Sequence, residues 1–168
     1  MARKNTQTIA ALFKSAGTQS DAVAAFALVQ RGAPKGSKTV VAKRNARIID
    51  GNDTLAYVAP AAKSIRLELD LTPALLRKLK ARRVESKSRT KQRDVVYSKD
   101  RFSTFVYIEG PDDVKGAVQA LELAAQRAAE SAAKQAAKRE REQSQNGRAS
   151  AAEKSTDEQP QPEATPAA

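Results

Sequence analysis

Nine basic side chains fall between residues 77 and 93: Arg77, Lys78, Lys80, Arg82, Arg83, Lys87, Arg89, Lys91 and Arg93. The one acid among them is Glu85, so the local net charge is +8. A solvated surface ordinarily intersperses both signs, and this stretch does not. Phosphate suits it for two reasons. Each phosphate neutralised releases condensed counterions. Arg grips phosphate through paired hydrogen bonds, whereas Lys acts as a point charge. From Ser86 to Arg93 there is no large apolar residue. That segment is expected to be a basic loop that orders on nucleic acid and holds its backbone more than its base edges.

A second signal lies in the apolar run from Arg101 to Ile108. Strand pleating places Arg101, Ser103, Phe105 and Tyr107 on one face and Phe102, Thr104, Val106 and Ile108 on the other. If the following helix covers the Val106 side, Phe105 and Tyr107 stand on an open sheet face beside Arg101 and Arg66. Aromatics among arginines on such a face stack single-stranded bases. The competing expectation is that Phe105 and Tyr107 pack beneath the N-terminal helices. The stretch from Arg101 through FVYIEGPDDVKGAVQAL resembles the third strand and second helix of an RNA recognition motif. The resemblance implies a basic lead position at Arg101, a stacking aromatic at Phe105 and a buried aliphatic at Val106. Phe102, Ser103, Ile108 and Arg66 stand where that motif carries glycine and three further aromatics.

Other chemistry is largely excluded. The chain has no His and no Cys, which removes His- or Cys-based nucleophilic catalysis, zinc sites and disulfides. Asp50 with Asp53 reads as turn chemistry, and Asp112 with Asp113 as a helix start. Neither pair makes a magnesium site. Gly32 to Thr39 lacks both the spacing and the preceding strand of a phosphate-binding loop. Gly17 to Phe26 has the spacing of a helix-turn-helix, yet its exposed positions are mostly Ala, so a plain helical hairpin is expected. No enzyme activity, metal or cofactor is expected.

The elements that must position these residues follow from periodicity and punctuation. Ile9, Leu12 and Phe13 share one helical face up to Gly17. A second helix, with Ser20 as its expected cap, carries Val23, Phe26 and Val29. Strands are expected over Thr39 to Ile49 and Thr54 to Val58, joined at the Asp50-Gly51-Asn52-Asp53 turn. Ile65, Leu67, Leu69 and Leu71 alternate with polar residues, a half-buried strand. Thr72-Pro73 starts a helix carrying Leu75, Leu76 and Leu79. Asp94 to Ser98 and Arg101 to Glu109 complete the strands, and Gly110-Pro111-Asp112-Asp113 opens a long Ala-rich helix.

The expected fold is α+β, a small split β-α-β-β-α (ferredoxin-like) sheet preceded by a helical pair and a β-hairpin. The expected organisation is a helical pair over 1–36, a binding core over 37–123, an Ala-rich helix over 124–148 and a disordered acidic tail over 149–168. With 30 Lys and Arg against 19 Asp and Glu, the net charge of +11 points to a polyanionic partner. The expected function is non-enzymatic nucleic-acid binding, single-stranded DNA or RNA ahead of duplex DNA. The alternative is an oligomeric adaptor, self-associating through the Ala-rich helix, whose basic stretch docks on an acidic partner or a nucleoprotein particle. A cytoplasmic location, on nucleic acid and off the membrane, accompanies both.

Overall fold

The computed structural model describes residues 8–41, 46–86 and 102–153, with side chains through residue 143. Two helices lead, α1 (Ile9–Ser15) and α2 (Ser20–Gly32). Thr8 caps α1, its hydroxyl accepting from the Ala11 N–H at 3.2 Å. Gly17 follows at φ +64°, a left-handed conformation that favours glycine and ends the first helix. The cap of α2 is Gln19 rather than Ser20, and its side chain makes no capping bond. Its backbone N–H instead donates to the Ala62 carbonyl at 2.9 Å, tying the start of α2 to a loop between two strands.

Six strands follow: β1 (Lys38–Val41), β2 (Ala46–Asp50), β3 (Asp53–Pro60), β4 (Ile65–Leu69), β5 (Val84–Ser86) and β6 (Thr104–Ile108). They form one sheet in the order β1-β2-β3-β4-β6-β5, with every neighbouring pair antiparallel. The β2–β3 hairpin turns at Gly51, whose φ of +55° a side chain would strain. After β4, Thr72 caps the single turn α3 (Pro73–Leu76) by accepting from the Leu75 N–H at 3.3 Å. A 3₁₀ turn (Pro111–Asp113) leads from β6 into α4 (Val114–Glu153). Asp113 fixes that entry: its carboxylate accepts from the Glu109 N–H at 2.8 Å and the Gly110 N–H at 3.2 Å.

Register divides the sheet into two unlike faces. Ile65, Leu67 and Leu69 pair with Ile108, Val106 and Thr104, and all six are buried on one side. Ala56 and Val58 of β3 continue that side, as do Ala46 and Ile48 of β2. Leu12, Phe13, Phe26 and Val29 cover it from α1 and α2, and Ala117, Ala120 and Leu121 from α4. Burying each large apolar side chain there contributes about 1.5–3 kcal/mol. Phe13 meets Phe26 edge-on at 5.2 Å, and Gly32 leaves room for Val118 of α4. The helical pair thus shares one core with the sheet. No described helix covers the opposite face.

The architecture is mixed α and β around an open antiparallel sheet. A ferredoxin-like plan is not established: α3 is one turn, no described strand follows α4, and β1 to β3 extend the sheet. The strand expected over Asp94 to Ser98 lies outside the described residues. Instead β5, within the basic stretch, forms the sheet edge. The chain divides into two compact units, up to residue 129 and from residue 130. In the second, side chains 132–143 are exposed, and Lys138 pairs with Glu142 one turn away at 3.6 Å. Among the described residues no helix is long and apolar enough to cross a membrane.

Thr104 stands in the core at 1% exposure, and its hydroxyl has no hydrogen-bond partner among the described residues. Thr104→Val replaces that desolvated oxygen with a methyl of similar size. It is expected to stabilise the fold by about 1 kcal/mol, read as a rise in Tm. A fall in Tm would show that the hydroxyl has a partner.

Candidate nucleic-acid interface

Residues 77–83 form a strap between α3 and β5, a turn at Arg77 and Lys78 followed by irregular chain from Leu79 to Arg83. Its side chains alternate: Leu79 and Ala81 pack against the core, while Lys78, Lys80 and Arg82 face solvent. Two features of α4 hold its backbone. Gln119 donates from Nε2 to the Lys78 carbonyl at 3.1 Å and accepts the Lys80 N–H at Oε1, 2.8 Å away. Gly116 lies directly beneath Ala81, where a Cβ would come within 2.7 Å of the Ala81 Cα. The strap therefore lies flat on the helix, and its five cations extend from a fixed backbone.

Arg77, Lys78 and Lys80 are exposed and form no ion pair among the described residues. Arg82 meets Asp112 at 3.2 Å, both side chains largely in solvent. Arg83 reaches Glu109 at 2.7 Å and Glu85 at 3.7 Å, with all three about half exposed. So exposed a pair as Arg82–Asp112 contributes about 0–1 kcal/mol, so an incoming phosphate can exchange with Asp112. The strap's own carboxylate partners thus reduce its attraction for polyanions without cancelling it.

Beyond Arg83 the chain enters β5 and the helix-free face of the sheet. Pairing of β4 with β6 sets Arg66 opposite Tyr107 and Glu68 opposite Phe105. The Arg66 guanidinium lies over the Phe105 ring at 5.0 Å, and that of Arg83 over Tyr107 at 4.4 Å. Arg66 also bonds Glu68 at 2.6 Å, and the Tyr107 hydroxyl donates to Glu85 at 2.9 Å. Burial pulls the Arg66 pKa down, but Glu68 and Tyr107 more than offset this, holding it above its ordinary value. The face extends onto β3, where Tyr57 meets Phe102 edge-on at 4.9 Å.

Several expectations need correction. Phe105 and Tyr107 lie opposite the N-terminal helices rather than beneath them, because β4–β6 register places Val106 and Ile108 on the core side. Phe105 is only 7% exposed and is roofed by Arg66, so a base would meet the guanidinium plane and Tyr107 before that ring. Phe102 sits with Tyr57 instead of on the Val106 side. The strand begins at Thr104, so its alternation does not reach back to residue 102. Lys87, Arg89, Lys91, Arg93 and Arg101 lie outside the described residues.

Tyr57, Gln119 and the carboxylates Glu68, Glu85 and Glu109 had no signal of their own in the sequence. Tyr57 enters the face only through its pairing with Glu68 across β3 and β4. Among the described residues no cluster of carboxylates could hold a metal ion. No protein-family model matches the chain, and no curated protein or solved structure matches it.

Gly116→Ala tests the seating of the strap. Alanine in place of glycine would by helix propensity stabilise α4 by about 1 kcal/mol. The close approach to Ala81 reverses this sign: the expected outcome is a lower Tm, with faster hydrogen exchange at the Lys80 amide. A raised Tm with unchanged exchange would contradict the close approach.

Proposed function

We propose that this protein binds nucleic acid without catalysing a reaction on it, single-stranded DNA or RNA ahead of duplex DNA. The observation that carries the reading is the strap. Five cations with no acid among them stand exposed on a backbone pinned to α4, at the edge of a sheet face bearing guanidinium–aromatic stacks. Phosphates would lie along Arg77, Lys78, Lys80 and Arg82, giving most of the affinity in a salt-dependent form. The stacks at Arg66–Phe105 and Arg83–Tyr107 would meet unpaired bases. On this reading the β4-β6-β5 order represents a reduced ferredoxin-like plan, with β3 in the place of its last strand. A cytoplasmic site of action accompanies it.

A second reading rests on the unit from residue 130. Its helix exposes Ala132, Ala133, Ala136 and Ala137 among charged residues, with nothing described packed on them. Self-association along this helix would make the protein an adaptor, with the basic strap docking on an acidic partner or nucleoprotein particle. Sedimentation of the chain with and without residues 130–168 separates the two roles. Loss of an oligomer with unchanged nucleic-acid affinity assigns that helix to assembly alone.

Fluorescence anisotropy with a labelled single-stranded oligonucleotide, titrated across salt concentrations, tests the leading reading. The triple variant Arg77→Ala, Lys78→Ala, Lys80→Ala is expected to weaken binding to all sequences alike. It should flatten the slope of log K against log salt by about 2, at roughly 0.7 for each phosphate that is no longer neutralised. An unchanged slope would remove the strap from the interface.

A further inference from the structure

We propose that Glu68, Glu85 and Glu109 make the open sheet face selective for unpaired bases by keeping phosphate off it. The proposal rests on the nucleic-acid-binding reading above and concerns which form of nucleic acid the same site accepts.

The two halves of the interface differ in charge. Around Phe105 and Tyr107 the face carries two guanidiniums, Arg66 and Arg83, against three carboxylates. Each guanidinium is already hydrogen-bonded to one of them: Arg66 to Glu68 at 2.6 Å and Arg83 to Glu109 at 2.7 Å. Glu85 faces the same pair, within 3.7 Å of Arg83 and bonded by the Tyr107 hydroxyl. The strap that leads to this face carries Arg77, Lys78, Lys80 and Arg82, with Asp112 as the one carboxylate paired to them among the described residues. A polyanion is drawn to the strap and finds, among the described residues, no net positive charge around Phe105 and Tyr107, even with Arg47 counted across from Tyr57.

That division fits a single strand and works against a duplex. A single strand can turn its bases to one side and its phosphates to the other. Its backbone then follows the strap, while its bases reach the stacked guanidiniums and the Tyr107 ring. A duplex keeps its bases stacked inside and shows phosphate on its outer surface. Laid across the sheet, it brings phosphate against three carboxylates, and like-charge contact of this kind is how interfaces reject wrong partners. The carboxylates also hold the guanidinium planes over the rings, so they position the stacking surface they protect.

The test compares the wild-type chain with Glu68→Gln/Glu85→Gln, which keeps side-chain size and hydrogen-bonding capacity and removes two charges. Three probes are titrated at one salt concentration: a mixed-sequence single-stranded DNA oligonucleotide, the same sequence as a duplex, and heparin, a polyanion without bases. The expected result is a wild-type preference for the single strand. In the variant, duplex and heparin should tighten about tenfold while the single strand changes about twofold or less. Equal tightening on all three probes would overturn the proposal, because the carboxylates would then only lower net charge, and nucleic-acid binding itself would stand. Equal wild-type affinity for all three would overturn it as well. Failure of the wild type to bind any probe would remove the binding reading and this proposal with it. Should the double variant not fold, Glu85→Gln alone, at the exposed sheet edge, carries the same comparison.

Discussion

The pairing of β4 with β6 is the constraint from which the rest of the molecule follows. Leu67 opposite Val106 and Ile65 opposite Ile108 commit one face to the helices. The same register sets Arg66 opposite Tyr107 and Glu68 opposite Phe105 on the other side. A slip of one residue in β6 would carry Val106 and Ile108 to the open face and turn Phe105 and Tyr107 toward the helices. Core and candidate interface are therefore two consequences of one register. The interface needs no dedicated scaffold, only the reverse side of a strand pair that the hydrophobic effect already fixes.

The strap adds the second layer of order. A run of cations would by itself repel and sample many conformations. Here Leu79 and Ala81 anchor alternate positions, and Gln119 satisfies the backbone groups between them. The absence of a side chain at Gly116 lets the two backbones approach. Concentrated positive charge is thereby held in place, with Arg77, Lys78 and Lys80 in no ion pair among the described residues. The neighbouring face follows the opposite rule, with Arg66 and Arg83 each matched to an acid. On the proposed reading, affinity and discrimination belong to separate surfaces that meet at Arg83.

Much of the fold was legible in local pattern. The alternation from Ile65 to Leu71, the Thr72-Pro73 start, the Gly51 turn and the helical stripe of α2 all act within a few residues, and the structure places elements there. The excess charge from Arg77 to Arg83 was equally plain. What stayed hidden depends on distant partners. β5 is a strand because β6 pairs with it, and nothing in the sequence around Val84 suggests one. Arg83 and Glu109 are 26 residues apart, and Gln119 binds groups 39 and 41 residues away. The roof of Arg66 over Phe105 requires register between strands, which periodicity within one strand does not supply. For the same reason the sequence overestimated how far the guanidiniums are free and how far Phe105 is exposed.

The central claim is that nucleic acid meets this protein at the strap and the adjoining open face. Mapping amide chemical-shift changes while a single-stranded oligonucleotide is added tests it most directly. The account predicts that the changes cluster at residues 77–86 and 104–107 and leave α1 and α2 unmoved. Changes concentrated on α2 or on the helix beyond residue 130, with the strap silent, would contradict it.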